Sequence, residues 1–296
     1  MKKLISLIVV VFTTSLYADK TSNSERLSYY DPEYVTISSG MNGGEAYNFI
    51  WMSRKNDRVR AKYFAAPDYN GNNVQKRYQS WSKGMSIILV SSGAYLNDQA
   101  LVEGLTIDNG VVVNRTLTDK VDGLVIVYAT GGIAVTNLDN GDLTLNGGGE
   151  NGTKNYDLRN SSWDLQNFIN WSESQEATVF QTHLLVWKNK LDISATNSSD
   201  NTAKNRRFLA AGTDEDGEKV HVIIQCPGVT TLYQGTKKTF DFLRNFKDMN
   251  VTFMINLDPG YQDVFKLYNY DGTINNNIKG EKSIDYAGNL LVYYYL

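Results

Sequence analysis

The sequence predicts an α+β chain with a core of mostly antiparallel or mixed β-sheet and two principal helices. Short runs rich in β-branched and aromatic residues recur along it, turn dipeptides such as Asn-Gly and Asp-Gly bound them, and only two stretches show helical apolar spacing. The 296 residues are 42% hydrophobic, with 24 glycines and 4 prolines, which is length and composition enough for a large core. No fixed-period repeat or proline-rich linker divides the chain, so residues 19–296 read as a single domain.

The first stretch, MKKLISLIVVVFTTSLYADK, sets two lysines before an apolar run of about a dozen residues and a small residue at Ala18. This is the layout of a secretory signal peptide, residues 1–18, cleaved after Ala18, and the run is too short to span a bilayer. The mature chain is expected to be exported, either periplasmic or secreted. It should keep no stable membrane anchor, since no cysteine follows the run for lipid attachment and no second long apolar segment occurs. Cys226 is the sole cysteine, which excludes an internal disulfide and a cysteine metal cluster; a buried, inert thiol is expected.

The strand-like runs are MSIILV (85–90), GLTIDNGVVVN (104–114), DGLVIVYATGGIAVTNL (122–138), TVFQTHLLVWKNKL (178–191), RRFLAAGTDEDGEKVHVII (206–224), NVTFMINLD (250–258), DVFKLY (263–268) and NLLVYYYL (289–296). Asp108-Asn109-Gly110 and Asp216-Gly217 are expected to be type I′ hairpin turns, because Asn, Asp and Gly tolerate positive φ. One helix is predicted in SSWDLQNFINWSES (161–174), with Ser161 and Asp164 as capping box and Trp163, Phe168 and Trp171 on one face. The second is predicted in GTKKTFDFLRNFKDMN (235–250) on Phe240, Leu243, Phe246 and Met249 or Phe242. Between them, residues 139–160 are polar and glycine-rich, either an exposed loop beside a site or a disordered insertion.

Net charge is -3 with mixed signs, so no basic field is present to attract nucleic acid or an anionic membrane. NGGGENG has neither the lysine nor the strand-to-helix setting of a phosphate loop, and TDEDGE lacks the spacing of a calcium loop. With only His183 and His221, a zinc site or a serine or cysteine triad finds no support; no metal or other cofactor is expected. His221 reads as a structural residue facing solvent, and His183 as either a core histidine or a member of a polar group with Gln181 and Thr182.

Carboxylates and arginines remain. In FMINLDPGYQD an apolar strand ends at Asp258, where Pro259-Gly260 turns the backbone, and Asp263 follows. Asp258 either bonds its own turn or is an active group held at a strand end. Arg206 and Arg207 are adjacent, so in a strand only one can face a given cleft and fork an anionic oxygen pair.

Five segments, in order over roughly residues 85 to 270, resemble the phosphodiester glycosidase family, relatives of the enzyme that removes a capping N-acetylglucosamine from mannose 6-phosphate. ILVSSGAYLN is similar to the family's Asn-Gly-Gly-Phe-Phe type of motif, with Gly93 and Tyr95 matching and Ser91 in place of the asparagine. EGLTIDNGVVVN is similar to its glycine-leucine strand and hairpin, and FQTHLLVWKNKL matches through Gln181. NRRFLAAGTDEDG resembles its arginine-to-glycine strand, with Arg207 one residue farther from Gly212 than usual. NLDPGYQD resembles Leu-Asp-Gly-Gly-Gly-Ser, keeping Leu257, Asp258 and Gly260 while Pro259, Tyr261 and Gln262 depart from it.

The resemblance implies a carbohydrate or sugar-phosphate substrate, with Asp258 as catalytic carboxylate and Asp263 as its partner. It further implies substrate contacts from Ser91, Ser92, Gly93, Tyr95, Gln181, His183, Arg206 or Arg207, Gly260 and Tyr261. A sugar 1-phosphodiester already carries a good leaving group, a phosphate monoester; Arg207 would stabilise it while Asp258 stabilises or attacks the sugar cation or activates water. The alternative is a glycan-binding protein on the same fold whose altered DPGYQD loop has lost chemistry, and a third reading is an exported structural protein with no small-molecule site. Oligomeric state leaves no mark on the sequence.

Overall fold

The computed structural model describes residues 30–65, 72–139, 143–146, 153–194, 202–260 and 262–296. The expected signal peptide lies outside them. In chain order the elements are β1 (Val35–Asn42), β2 (Glu45–Ser53), β3 (Val59–Ala65), α1 (Asn72–Trp81), β4 (Ser86–Ser91), β5 (Thr106–Asp108), β6 (Val111–Asn114), β7 (Gly123–Val127) and β8 (Ile133–Asn137). There follow β9 (Leu143–Asn146), β10 (Thr153–Tyr156), α2 (Ser162–Ser174), β11 (Thr178–Thr182), β12 (Leu184–Trp187), β13 (Lys190–Leu191), β14 (Arg207–Thr213) and β15 (Lys219–Gln225). The last are α3 (Leu232–Phe246), β16 (Asn250–Leu257), β17 (Phe265–Leu267) and β18 (Asn289–Tyr295).

Three larger sheets form, with orders β1-β2-β15-β14-β16-β12-β13, β6-β5-β11-β7-β8 and β17-β4-β18-β3, and β9 pairs with β10 alone. Every pairing between these strands is antiparallel. The inner faces of the three sheets meet in one core, where Ile50, Tyr63, Phe180, Leu209, Ile255 and Leu291 pack together. Each outer face carries one helix. Phe240, Phe242 and Leu243 of α3 cover the seven-stranded sheet. Phe168 and Trp171 of α2, with the β9–β10 hairpin, cover the five-stranded one, and Val74 and Tyr78 of α1 the four-stranded one. Each helix thus buries one stripe, as amphipathic spacing requires.

The two expected helices form. Ser161 caps α2, its side chain accepting from the Asp164 N–H, and Thr231 caps α3 through the Gln234 N–H. Trp163 is off the predicted face, 74% exposed, because a five-residue step to Phe168 is far from a whole number of helical turns. The sequence reading missed α1, whose apolar positions Val74, Tyr78 and Trp81 stand among polar residues, and it missed β1 to β3.

The 108–110 turn has positive φ at both Asn109 (51°) and Gly110 (77°), as a type I′ turn needs. At 216–217 only Gly217 (80°) does so, and the Gly217 N–H closes back onto the Asp214 carbonyl, so this second turn is of another type. Residues 139–160 are not loop throughout, since they hold the β9–β10 hairpin. His221 is buried rather than solvent-facing; its Nδ1 lies 2.8 Å from the Tyr293 hydroxyl, and burial holds its pKa well below the usual histidine range. Cys226 is buried and its thiol is pushed up to about 11 by burial.

Candidate functional site

From Phe253 to Leu257 strand β16 is buried and, apart from Asn256, apolar, because both its faces are covered there, by the central core on one side and by the layer under α3 on the other. Its C-terminal end is where the sheets meet. There the Asp258 N–H donates to the Gly93 carbonyl (3.0 Å) and the Ser92 hydroxyl donates to the Asp258 carbonyl (2.5 Å). The turn after β4 is thereby fixed to the turn after β16. Gly93 has no room for a side chain: a Cβ there would lie 2.7 Å from the Tyr63 ring. Asn289 holds the same turn from below, accepting from the Gly93 and Ala94 N–H groups and donating to the Ala94 carbonyl.

Asp258 is half-buried, and its Oδ1 accepts from the Gly260 N–H at 2.9 Å. Two residues upstream, the Asn256 side chain donates to the Tyr95 hydroxyl. The Tyr95 ring meets the His183 ring edge to face, centroids 5.2 Å apart. His183 lies where the chain leaves the five-stranded sheet at Thr182 and enters the seven-stranded sheet at Leu184. That switch of sheets, unreadable in a single apolar run, explains why a polar residue interrupts FQTHLLVW. Tyr95 and His183 wall a cleft of about 280 Å³, together with Leu96, Asn97, Asp98, Glu103, Lys120 and Val121.

Arg207 and Asp263 form a buried pair beneath this end of β16. Arg207 pairs with Leu257 in register, is 3% exposed, and donates from Nη2 to Asp263 Oδ1 (3.0 Å) and from Nη1 to the Val264 carbonyl (3.3 Å). Its guanidinium stacks on Phe265 at 4.2 Å, and its Nε is buried without a hydrogen-bond partner. Burial pulls the Arg207 pKa down, and Asp263 first, then Asp258, oppose the shift. The second oxygen of Asp263 accepts from the Glu281 N–H, so the chain engages both of its oxygens.

The other predicted residues divide by position. Arg206 faces the opposite side of the strand and clasps the carbonyls of Thr202 and Thr230. Ser91 is wholly buried and donates to the Ser92 carbonyl. Gln181 is also wholly buried: its Oε1 accepts from the N–H groups of Leu105 and Thr118, and its Nε2 donates to the carbonyls of Thr118 and Val121. It staples the 104–121 segment, whose Lys120 and Val121 line the cleft, and none of these bonds involves Arg207. Gln181→Leu leaves four backbone groups without that partner and is expected to cost at least about 3 kcal/mol in chemical denaturation. Tyr261 lies outside the described residues.

A carboxyl pair begins at Asp122, the residue after Val121 of the cleft lining. Asp122 Oδ1 accepts from the Leu184 N–H (2.9 Å), Asp192 Oδ2 accepts from the Asn137 amide (2.8 Å), and the two carboxyls share a hydrogen bond. Burial, with Asp192 and Asp139 nearby, pushes Asp122 up to about 6, above the ordinary 3.8. The folded chain therefore holds this proton more tightly than the unfolded chain. The resulting stabilisation is complete below pH ~4 and lost as pH rises through ~6, a change of about 3 kcal/mol. Melting of the native chain against Asp122→Asn from pH 4 to 7 should show the native chain losing ground steadily across that range.

Sequence reasoning missed Asn256 and Asn289. The available signal was an amide set inside an otherwise apolar run, in MINLD and GNLLV. Among the described residues no cluster of three or more His, Cys, Asp or Glu could hold a metal, and no helix is long and apolar enough to cross a membrane.

No family model and no curated protein matches this chain in sequence. Among solved structures, the chain is similar to two at low identity. One is the zebrafish N-acetylglucosamine-1-phosphodiester alpha-N-acetylglucosaminidase catalytic domain auto-inhibited by its pro-peptide, at 13% identity and TM-score 0.49, covering 88% of this chain and 82% of that one. The other is a hypothetical protein from Synechocystis, at 9% identity and TM-score 0.47, covering 89% of this chain but only 62% of the other. At these identities and TM-scores no residue role is carried across from either.

Proposed function

We propose that this chain is an exported glycosidase acting on a sugar 1-phosphodiester or related surface glycan, with Asp258 as its catalytic carboxylate. One observation carries the reading: a half-buried carboxylate stands at a strand end, its backbone bonded on both sides to the 92–93 turn and its Oδ1 oriented by the Gly260 N–H. Nearby the Asn256 side chain bonds Tyr95, which with His183 walls a cleft of about 280 Å³. In this role Asp258 stabilises or attacks the developing sugar cation, or activates the water that replaces the departing phosphate monoester.

The engagement of both Arg207 Nη atoms supports a background role: its charge lies near the carboxylate, while Lys120, paired with Glu103 at the cleft but 73% exposed, is better placed to meet a phosphate. Asp263, occupied by Arg207 and Glu281, supports that charge rather than acting as a second catalytic acid. Export rests on the signal-like residues 1–18, and one domain is proposed for residues 19–296.

A second reading, glycan binding without turnover, is favoured by the same engagement of both Arg207 Nη atoms and by the Gly260 bond on Asp258. Incubating the purified chain with the methyl phosphodiester of N-acetylglucosamine 1-phosphate separates the two. Release of free sugar supports hydrolysis, and saturable binding without release supports the second reading.

A further inference from the structure

Asn256 is wholly buried and three of its four polar groups are engaged. Its N–H donates to the His183 carbonyl (3.1 Å), its carbonyl accepts from the Thr182 hydroxyl (2.6 Å), and its Nδ2 donates to the Tyr95 hydroxyl. Its Oδ1 is buried and accepts no hydrogen bond from any described residue. Buried polar atoms in native folds have partners as a rule, and a leucine of similar size would fill this place without an unsatisfied oxygen. The bond to Tyr95 uses the amide nitrogen, and folding alone gives no partner to the oxygen.

The position of Asn256 points to one. Alternate residues of a strand share a face, and the β16–β14 register is regular from Met254 to Leu257, so Asn256 lies on the same face as Asp258. The Tyr95 it bonds forms the cleft wall with His183. Asn256 is bonded to the Tyr95 phenol and stands two residues before the Asp258 carboxylate, and an acceptor on that residue matches the donors that a saccharide presents in a row, ring hydroxyls or an N-acetyl N–H.

We propose that Asn256 is a saccharide-binding residue of the Asp258 site: its Oδ1 accepts from a ligand hydroxyl or amide N–H while its Nδ2 holds Tyr95 in the cleft wall. This rests on the carbohydrate reading above, and it adds a specificity for donor-bearing sugar positions over deoxygenated ones.

The test compares Tyr95→Phe with Tyr95→Phe/Asn256→Leu, so that the phenol is absent from both and only the amide changes. Two quantities are read in an Asp258→Asn background, which blocks turnover: the melting temperature without ligand, and by calorimetry the dissociation constant for the methyl phosphodiester of N-acetylglucosamine 1-phosphate. Adding Asn256→Leu is expected to leave the melting temperature unchanged or higher and to weaken binding at least about tenfold. A lower melting temperature, or unchanged affinity, makes Asn256 structural and overturns the proposal while the carbohydrate reading stands. If the parent does not bind the compound and the native chain does not hydrolyse it, the carbohydrate reading falls and this inference with it.

Discussion

Asp258→Asn is expected to lower turnover of a sugar 1-phosphodiester by about 10²–10⁴-fold with little change in melting temperature. The substitution keeps the shape of the side chain and an oxygen able to accept from the Gly260 N–H, and the backbone bonds to Ser92 and Gly93 do not depend on the carboxylate. What it removes is negative charge where the sugar becomes cationic. The loss should appear in kcat with KM little altered, since charge matched to the transition state contributes little to ground-state binding. Full activity in this variant would remove Asp258 from the chemistry.

Asp263→Ala is expected to destabilise the chain by about 3–5 kcal/mol, the usual consequence of leaving a buried charge without its partner. Arg207 is 3% exposed, its Nε already lacks a partner, and loss of Asp263 also strands the Glu281 N–H. Replacing both partners, as in Asp263→Ala/Arg207→Met, should recover much of the loss, because an apolar side chain over Phe265 is tolerated where an unpaired guanidinium is not. Chemical denaturation of the three chains decides the matter. If the single variant is as stable as the native chain, the pair is not structural, and Arg207 becomes available as a direct phosphate ligand.

Much of the sheet architecture was legible because strand signals are local. The β5–β6 turn follows from Asn109-Gly110, the end of β16 from Asp258-Pro259-Gly260, and the α2 cap from Ser161 and Asp164. What failed was non-local. TVFQTHLLVWKNKL reads as one strand, yet its halves belong to two sheets, and only tertiary pairing shows His183 at the crossing. Helix α1 buries Val74 and Tyr78 against a sheet that must first exist, so its sparse apolar positions carried little signal.

The candidate site was legible in the same uneven way. The sequence pointed to Asp258, Ser92, Gly93, Tyr95 and His183, which do gather at one strand end. It could not distinguish Arg207, turned inward onto Asp263, from Arg206, turned toward the 202–230 carbonyls, nor show that Gln181 is saturated by backbone groups. Hydrogen-bond saturation depends on segments distant in sequence, and neither spacing nor composition reports it.

The most direct measurement is a crystal structure of the Asp258→Asn chain soaked with the methyl phosphodiester of N-acetylglucosamine 1-phosphate. The expected result places the anomeric carbon within about 3–3.5 Å of the side chain at position 258, with the sugar against Tyr95 and His183. A ligand bound elsewhere, or a sugar whose anomeric carbon points away from that position, would contradict the assignment of this strand end as the catalytic site.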